Sequence, residues 1–295
     1  MSDRIKVILD TDIGSDIDDA VALAYLLSQP RCELLGVTTV TGEAPLRAEM
    51  VSAMCRNVGR DDVPIHSGCQ QAMLLDIRQK KAPQAVALGS WDRRRDFPEN
   101  TAVEFLRQTI RANPGQVTLL TIGPLTNAGL LFATDPEIGP LLSGMVLMCG
   151  QFFDRMKGEW NAINDPHATA IAYFNGRQAR PPRHVSYGLD VTMKCQLAAD
   201  ECRRRFIAKA LRPVRDFAEV FFRDAQRITF HDPLAAACIF EPDLCKYRQG
   251  KVTVSLSEPT MGWTIFTEHG DDKPHTAAET VDSDRFFEHY FGVVK

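Results

Sequence analysis

The eight cysteines of this 295-residue chain (Cys32, Cys55, Cys69, Cys149, Cys195, Cys202, Cys238 and Cys245) include no C-x-x-C pair and are scattered through apolar contexts. That spacing argues against a zinc site and against a disulfide frame, and for reduced, buried thiols. No sign of charge dominates either. With 34 Lys and Arg against 38 Asp and Glu the net charge is -4, which gives no electrostatic case for nucleic acid or an anionic membrane as partner. The local run Arg93-Arg94-Arg95 reads as a solvated face. Long apolar segments are also lacking: Met1-Ser2-Asp3-Arg4-Ile5 passes straight into a strand, so neither a signal peptide nor a membrane span is expected, and the location is read as cytoplasmic. No internal repeat or flexible linker divides the chain, and residues 1–295 are read as one domain with a substantial core.

What is abundant is local negative charge. In Val7-Ile8-Leu9-Asp10-Thr11-Asp12-Ile13-Gly14-Ser15-Asp16-Ile17-Asp18-Asp19-Ala20 an apolar run ends in five carboxylates within ten residues. Ile5 to Leu9 has the near-continuous apolar character of a strand buried on both faces, and Asp18 to Leu27 has the pattern of a helix start. The acidic loop therefore sits at the carboxyl end of a strand, the edge where open α/β sheets bind ligands, and Gly14 allows a tight path. Like charges this close repel unless neutralised, and the oxygen-seeking cations Ca²⁺ and Mg²⁺ are the usual partners. The alternative is that Asp18 and Asp19 merely complement a helix dipole. An EF-hand is excluded, because counting from Asp10 its sixth and twelfth positions hold Ser15 and Val21. Strand-Asp-x-Asp also opens phosphatases of the haloacid dehalogenase type, with Asp10 as nucleophile and Mg²⁺ bound. Gly14 stands where those enzymes usually have Thr or Val, and they give no reason for Asp18-Asp19.

Further along, Glu33 to Val40 reads as a second strand ending in Thr41-Gly42-Glu43, followed by a helix over Ala44 to Val58. Gln71 to Asn100 is irregular and charged, and is read as a lid or specificity loop. Thr101 to Ala112 is helical by its spacing, Gln116 to Ile122 a strand, and Gly123-Pro124-Leu125-Thr126-Asn127 a turn into a helix. Gly144 to Cys149 is another buried strand. Asp165-Pro166 and Asp232-Pro233 both have the form of an N-cap followed by Pro at the first helical position. Val185 to Leu189 is a further strand, Ala198 to Phe222 is helix-rich with a break at Pro213, and the chain from Lys251 alternates like hairpins before a short aromatic helix. The alternation of strand and helix implies a mainly parallel, doubly wound α/β sheet carrying a small helical cap at about 198–228.

The acidic loop, Gly123-Pro124-Leu125-Thr126-Asn127, Met148 before Cys149-Gly150, Glu159-Trp160-Asn161 before Asp165-Pro166, and His231-Asp232-Pro233 occur in an order that resembles the nucleoside hydrolase family, the inosine-uridine-preferring type, from Ile5 to about Phe287. The resemblance implies the fold of that family and Ca²⁺-dependent hydrolysis of the N-glycosidic bond of a ribonucleoside to free base and ribose. Carried over by motif, it assigns Asp12, Asp19, the Thr126 backbone oxygen and Asp232 as Ca²⁺ ligands. It makes Asp12 the base toward water, Asp18 a ribose ligand, Met148, Glu159 and Asn161 the sugar pocket, and His231 the acid for the departing base. It also implies a homodimer or homotetramer.

Three departures from the family pattern stand out. The loop is two residues longer than Asp-x-Asp-x-Gly-x-Asp-Asp, so it is aligned from the right onto Asp18-Asp19, with Asp16 as a substitute ligand. Glu43 takes the position where Asn is common, beside the ribose. The His-Gly segment that many members use near the base has no counterpart around Ala87-Leu88-Gly89-Ser90-Trp91, so base preference is open. A non-catalytic ribose-binding relative remains a third reading.

Overall fold

The computed structural model describes residues 4–89, 91–153, 158–174 and 183–295. Its strands are β1 (Ile5–Thr11), β2 (Cys32–Thr39), β3 (Ile65–Ser67), β4 (Val117–Thr121), β5 (Leu142–Met148), β6 (His184–Tyr187), β7 (Gln196–Ala198), β8 (Arg227–Thr229), β9 (Cys245–Val254), β10 (Thr264–Thr267) and β11 (His275–Val281). Its helices are α1 (Asp18–Ser28), α2 (Ala44–Val58), α3 (Ala102–Ala112), α4 (Thr126–Thr134), α5 (Trp160–Asn164), α6 (Pro166–Phe174), α7 (Leu189–Thr192), α8 (Ala199–Arg205), α9 (Arg212–Phe221), α10 (His231–Ala237) and α11 (Ser283–Val293).

Nine strands form one sheet in the order β10-β9-β11-β6-β5-β4-β1-β2-β3. From β3 through β11 neighbours run parallel, and β9 and β10 are added antiparallel at one edge. The central strands are mostly apolar because both faces are covered: every residue of β4, and Val7 to Thr11 of β1, is buried. The fold is thus the expected doubly wound α/β sheet. Its order steps outward from β1 in both directions, toward β2 and toward β4, which is the switch point where such sheets open a crevice at the strands' carboxyl ends.

Helix α1 leaves that crevice and is buried from Asp18 through Leu26. A helix apolar all round belongs in an interior, and here it lies between the sheet and the aromatic α11. Tyr290 donates from its hydroxyl to the Val21 carbonyl at 2.9 Å and stacks on Tyr25 at 5.8 Å. Helix α10, likewise buried from Asp232 onward, packs against α1, and the two start side by side at the same edge of the sheet.

Two expectations are corrected. The helix-rich segment is flanked by a strand pair that the expected cap bounds of 198–228 cut through: β7 and β8 run antiparallel on either side of α8 and α9 and bring Gln196 opposite Thr229. Strands of three residues are too short for a periodic signal. Pro213 does not break a helix but begins one, at the second position of α9, where its missing N–H costs nothing. No helix among the described residues is long and apolar enough to cross a membrane.

Candidate active site and metal centre

The acidic loop crosses the carboxyl end of β1 and turns at Gly14, whose φ of +114° is open to glycine and strained for other residues. A Cβ there would also lie 2.8 Å from the Met50 sulfur. The turn feeds Asp18 and Asp19 into the first turn of α1, and from the far end of the chain α10 brings in Asp232. One carboxylate oxygen from each of Asp18, Asp19 and Asp232 lies within 4.8 Å of the others, and all three side chains are buried. The Asp232 N–H donates to Asp18 Oδ2 at 3.1 Å, which joins residues 214 positions apart. Asp19 accepts from the Thr11 hydroxyl and from the Asp12 N–H.

Burial first, then the neighbouring carboxylates, pushes Asp18, Asp19 and Asp232 well above the ordinary carboxylate range. Burial likewise lifts Asp12 to about 6, against the pull of the Arg47 guanidinium and the Gln79 amide. Hard oxygen donors of one sign, gathered where water cannot screen them, form a donor set for a hard divalent cation.

These groups open onto a cavity of about 510 Å³ lined by Asp12, Asp16, Asp18, Asp19, Asp232, His231, Met148, Glu159, Asn161, Trp160, Leu189, Ile122, Gln79 and Gly158. Asp16 stands exposed at its mouth. His231 is the first residue of α10, and its Nδ1 meets the Thr192 hydroxyl at 2.7 Å. Burial pulls this imidazole down to about 4. Asp232 is therefore not the N-cap of that helix but a residue of its first turn, with its carboxylate in the cluster.

Glu159 is the N-cap of α5, accepting from the N–H groups of Asn161, Ala162 and Gly150 at 2.7 to 3.0 Å. Asn161 donates to the carbonyls of Ile122 and Met148 at 2.9 and 3.0 Å, and so ties the ends of β4 and β5 together beneath the cavity floor. Asp165 caps α6 as expected, accepting from the Ala168 N–H at 3.0 Å.

Three residues singled out by the sequence lie elsewhere. Thr126 is the first residue of α4, with its hydroxyl on Asp165 Oδ2 at 2.8 Å; the residue of that turn lining the cavity is Ile122, four positions earlier. Glu43 sits in the left-handed region at φ 62°, which turns its carboxylate away from the acidic cavity onto Lys81 Nζ and the Ala82 N–H. Asp10, the nucleophile of the phosphatase reading, is fully buried and held by Thr38 and Asn127 at 2.6 and 2.7 Å. Burial lifts it to about 7. It does not line the cavity.

The stretch expected to form a lid behaves as a wall in its 79–84 part. Gln84 donates from its N–H to the Gly14 carbonyl and from its amide to the Ser15 carbonyl, at 3.1 and 2.9 Å. Gln79, which the sequence reading overlooked, reaches from that wall to the Asp12 carboxylate and accepts from the Trp160 indole. A Gln in a charged, irregular stretch carries no local signal of such a role. Ser90, within the same stretch, lies outside the described residues.

A family model described as inosine-uridine preferring nucleoside hydrolase matches residues 7–288. The chain is 28% identical to the probable uridine nucleosidase 2 of Arabidopsis thaliana, covering 96% of this chain and 95% of the relative. It is 28% identical to the pyrimidine-specific ribonucleoside hydrolase RihA of Shewanella baltica (strain OS185), covering 88% of this chain and 85% of that one. Among solved structures, the purine-preferring ribonucleoside hydrolase from Gardnerella vaginalis superposes with a TM-score of 0.83 at 25% identity, over 98% of each chain.

Proposed function

The chain belongs to the inosine-uridine preferring nucleoside hydrolase family, and from that premise we propose that it hydrolyses the N-glycosidic bond of ribonucleosides to free base and ribose, with Ca²⁺ as its metal. The observation that carries the reading is the convergence of Asp18, Asp19 and Asp232 in one buried cluster, in the cavity that also holds His231.

Asp12, Asp19 and Asp232 would hold the ion, Asp16 being near enough to the mouth to serve as a further donor. The main-chain ligand that the resemblance assigned to Thr126 is better supplied by Ile122, which lines the cavity where Thr126 does not. When bound, a divalent cation supplies Lewis acidity that makes water a better nucleophile near neutral pH, and charge that grips a vicinal diol. Asp12 takes the proton from that water. Asp18 accepts a hydrogen bond from a ribose hydroxyl, while Met148 and Asn161 wall the sugar and Glu159 keeps α5 in place. The carboxylate-rich floor stabilises the positive charge that develops on the sugar as the bond to the base lengthens.

Thr192 occupies His231 Nδ1, so Nε2 is the ring nitrogen that would serve the substrate. Because burial holds this imidazole neutral at pH 7, it assists the departing base as an N–H donor rather than as a resident imidazolium. Glu43 is withdrawn from the ribose set, its carboxylate being engaged by Lys81 and Ala82.

The test is incubation with a panel of purine and pyrimidine ribonucleosides, with 4-nitrophenyl phosphate as control, each with Ca²⁺ and with chelator. Release of base and ribose that stops on chelation is the expected result. Phosphate release would restore the phosphatase reading, and tight riboside binding without turnover would make the protein a non-catalytic relative.

A further inference from the structure

Asp12 is gripped at both of its ends by residues that the family motifs do not include. At the main-chain end stands Arg47, the fourth residue of α2, fully buried. Its guanidinium donates to the carbonyl oxygens of Asp12, Ile13, Gly42 and Lys81 and to the Ser15 hydroxyl; the distances to Ile13, Gly42, Lys81 and Ser15 are 2.9, 2.8, 2.9 and 3.0 Å. One side chain thereby joins the acidic loop, the turn after β2 and the 79–84 wall. A planar fork with five N–H donors suits such divergent acceptors; an ammonium does not.

The wall is pressed close as well as bonded: a Cβ on Gly42 would stand 2.4 Å from the Lys80 carbonyl oxygen. At the side-chain end stands Gln79. The Trp160 indole can only donate, so it fixes the Gln79 carboxamide with oxygen toward Trp160 and NH₂ toward Asp12 Oδ2.

We propose that Arg47 and Gln79 are positioning residues that form a two-point clamp on Asp12, Arg47 setting the path of its backbone and Gln79 the rotamer of its carboxylate. The clamp rests on the reading of Asp12 as base and metal ligand. Groups that orient a ligating carboxylate from behind matter because a small misplacement of the reacting atoms costs rate without unfolding anything. The 79–84 wall is then a fixed part of the catalytic apparatus, already in place before substrate arrives.

The test is a double-mutant cycle with Gln79→Ala, Arg47→Lys and the double variant, reading the Ca²⁺ dissociation constant by calorimetry, and kcat and KM separately on the best riboside. Each single change is expected to weaken Ca²⁺ binding or lower kcat by about 10–100-fold, with KM moved much less. The double variant is expected to lose less than the product of the two, because both act through one carboxylate. Gln79 lies on the cavity wall, so Gln79→Ala keeps the proposal falsifiable if Arg47→Lys fails to fold. Unchanged kcat and Ca²⁺ affinity in Gln79→Ala, or losses that multiply as for independent sites, would overturn it. If the wild type itself turns over no riboside the proposed function falls, whereas the clamp is still read from the change in Ca²⁺ affinity.

Discussion

Two cavities in this molecule differ in size one way and in chemistry the other. The larger, about 660 Å³, lies between α6, β9 and the residues before β11, walled by Ile171, Phe174, Val252, Val254 and Leu256 with His184 and His275 at its base. The smaller, about 510 Å³, holds the five carboxylates of Asp12, Asp16, Asp18, Asp19 and Asp232. The larger is mostly what apolar burial would build unaided. The smaller works against folding, since the buried carboxylates of Asp12, Asp18, Asp19 and Asp232 are taken out of water beside one another, with the Arg47 guanidinium set against Asp12 and Asp19. Where a fold accepts that cost, chemistry is the reason.

The comparison breaks most sharply at Asp12. Asp12→Asn, which keeps shape and removes charge, is expected to lower kcat by about a thousandfold, with the circular dichroism spectrum unchanged; near-wild-type turnover would mean that the acidic cavity is not the reacting one. His231→Ala is expected to cost about a hundredfold on natural nucleosides and little on a nitrophenyl riboside, whose leaving group needs no assistance. Equal losses on both substrates would remove His231 from its role.

The smallest expected effect is on stability, and here the carboxylate cluster of the smaller cavity and His184 of the larger should respond to acid in opposite senses. Asp18, Asp19 and Asp232 have raised folded pKa values, so in chelator the folded state holds extra protons: their contribution is complete below the unfolded carboxylate range and is lost as pH rises through the raised values. His184 is pushed down to about 3, by burial first and then by His275 at 4.7 Å. The unfolded chain therefore takes up that proton first, and stability falls as pH drops from 6.5 toward 3, by at most about 1.4 kcal/mol per pH unit. Denaturant melts across pH, with chelator and with Ca²⁺, should show the first slope reduced by Ca²⁺, Asp10 keeping its share, and the second reduced by His184→Phe, His231 keeping its share. A single slope insensitive to both changes would erase the distinction between the cavities.

Much of the architecture was legible because it is written in local pattern. An apolar run such as Val7 to Leu9 declares a strand buried on both faces, and Asp18-Asp19 before an apolar stretch declares a helix start. The parts that escaped are those where local pattern is silent or points the wrong way. Strands β7 and β8 are too short to alternate. Thr126 was placed in the site by its motif, but α4 begins at that residue and carries it to Asp165 instead. Glu43 sits three residues past the end of the expected strand at Val40, and its positive φ, invisible in the residue name, sends the carboxylate outward. Arg47 reads as one more cation on an amphipathic helix until its five acceptors from three loops are seen.

The amino-acid order by itself determined the layered α/β scaffold, the strand edge at which a ligand would sit, and the supply of carboxylates there, because burial and helix-start chemistry act over a few neighbouring residues. Only the tertiary structure decided which acids meet. Asp18 touches Asp232 across more than two hundred residues, and Gln79 and Arg47 close on Asp12, because distance along the chain carries no information about distance in space until the sheet is assembled.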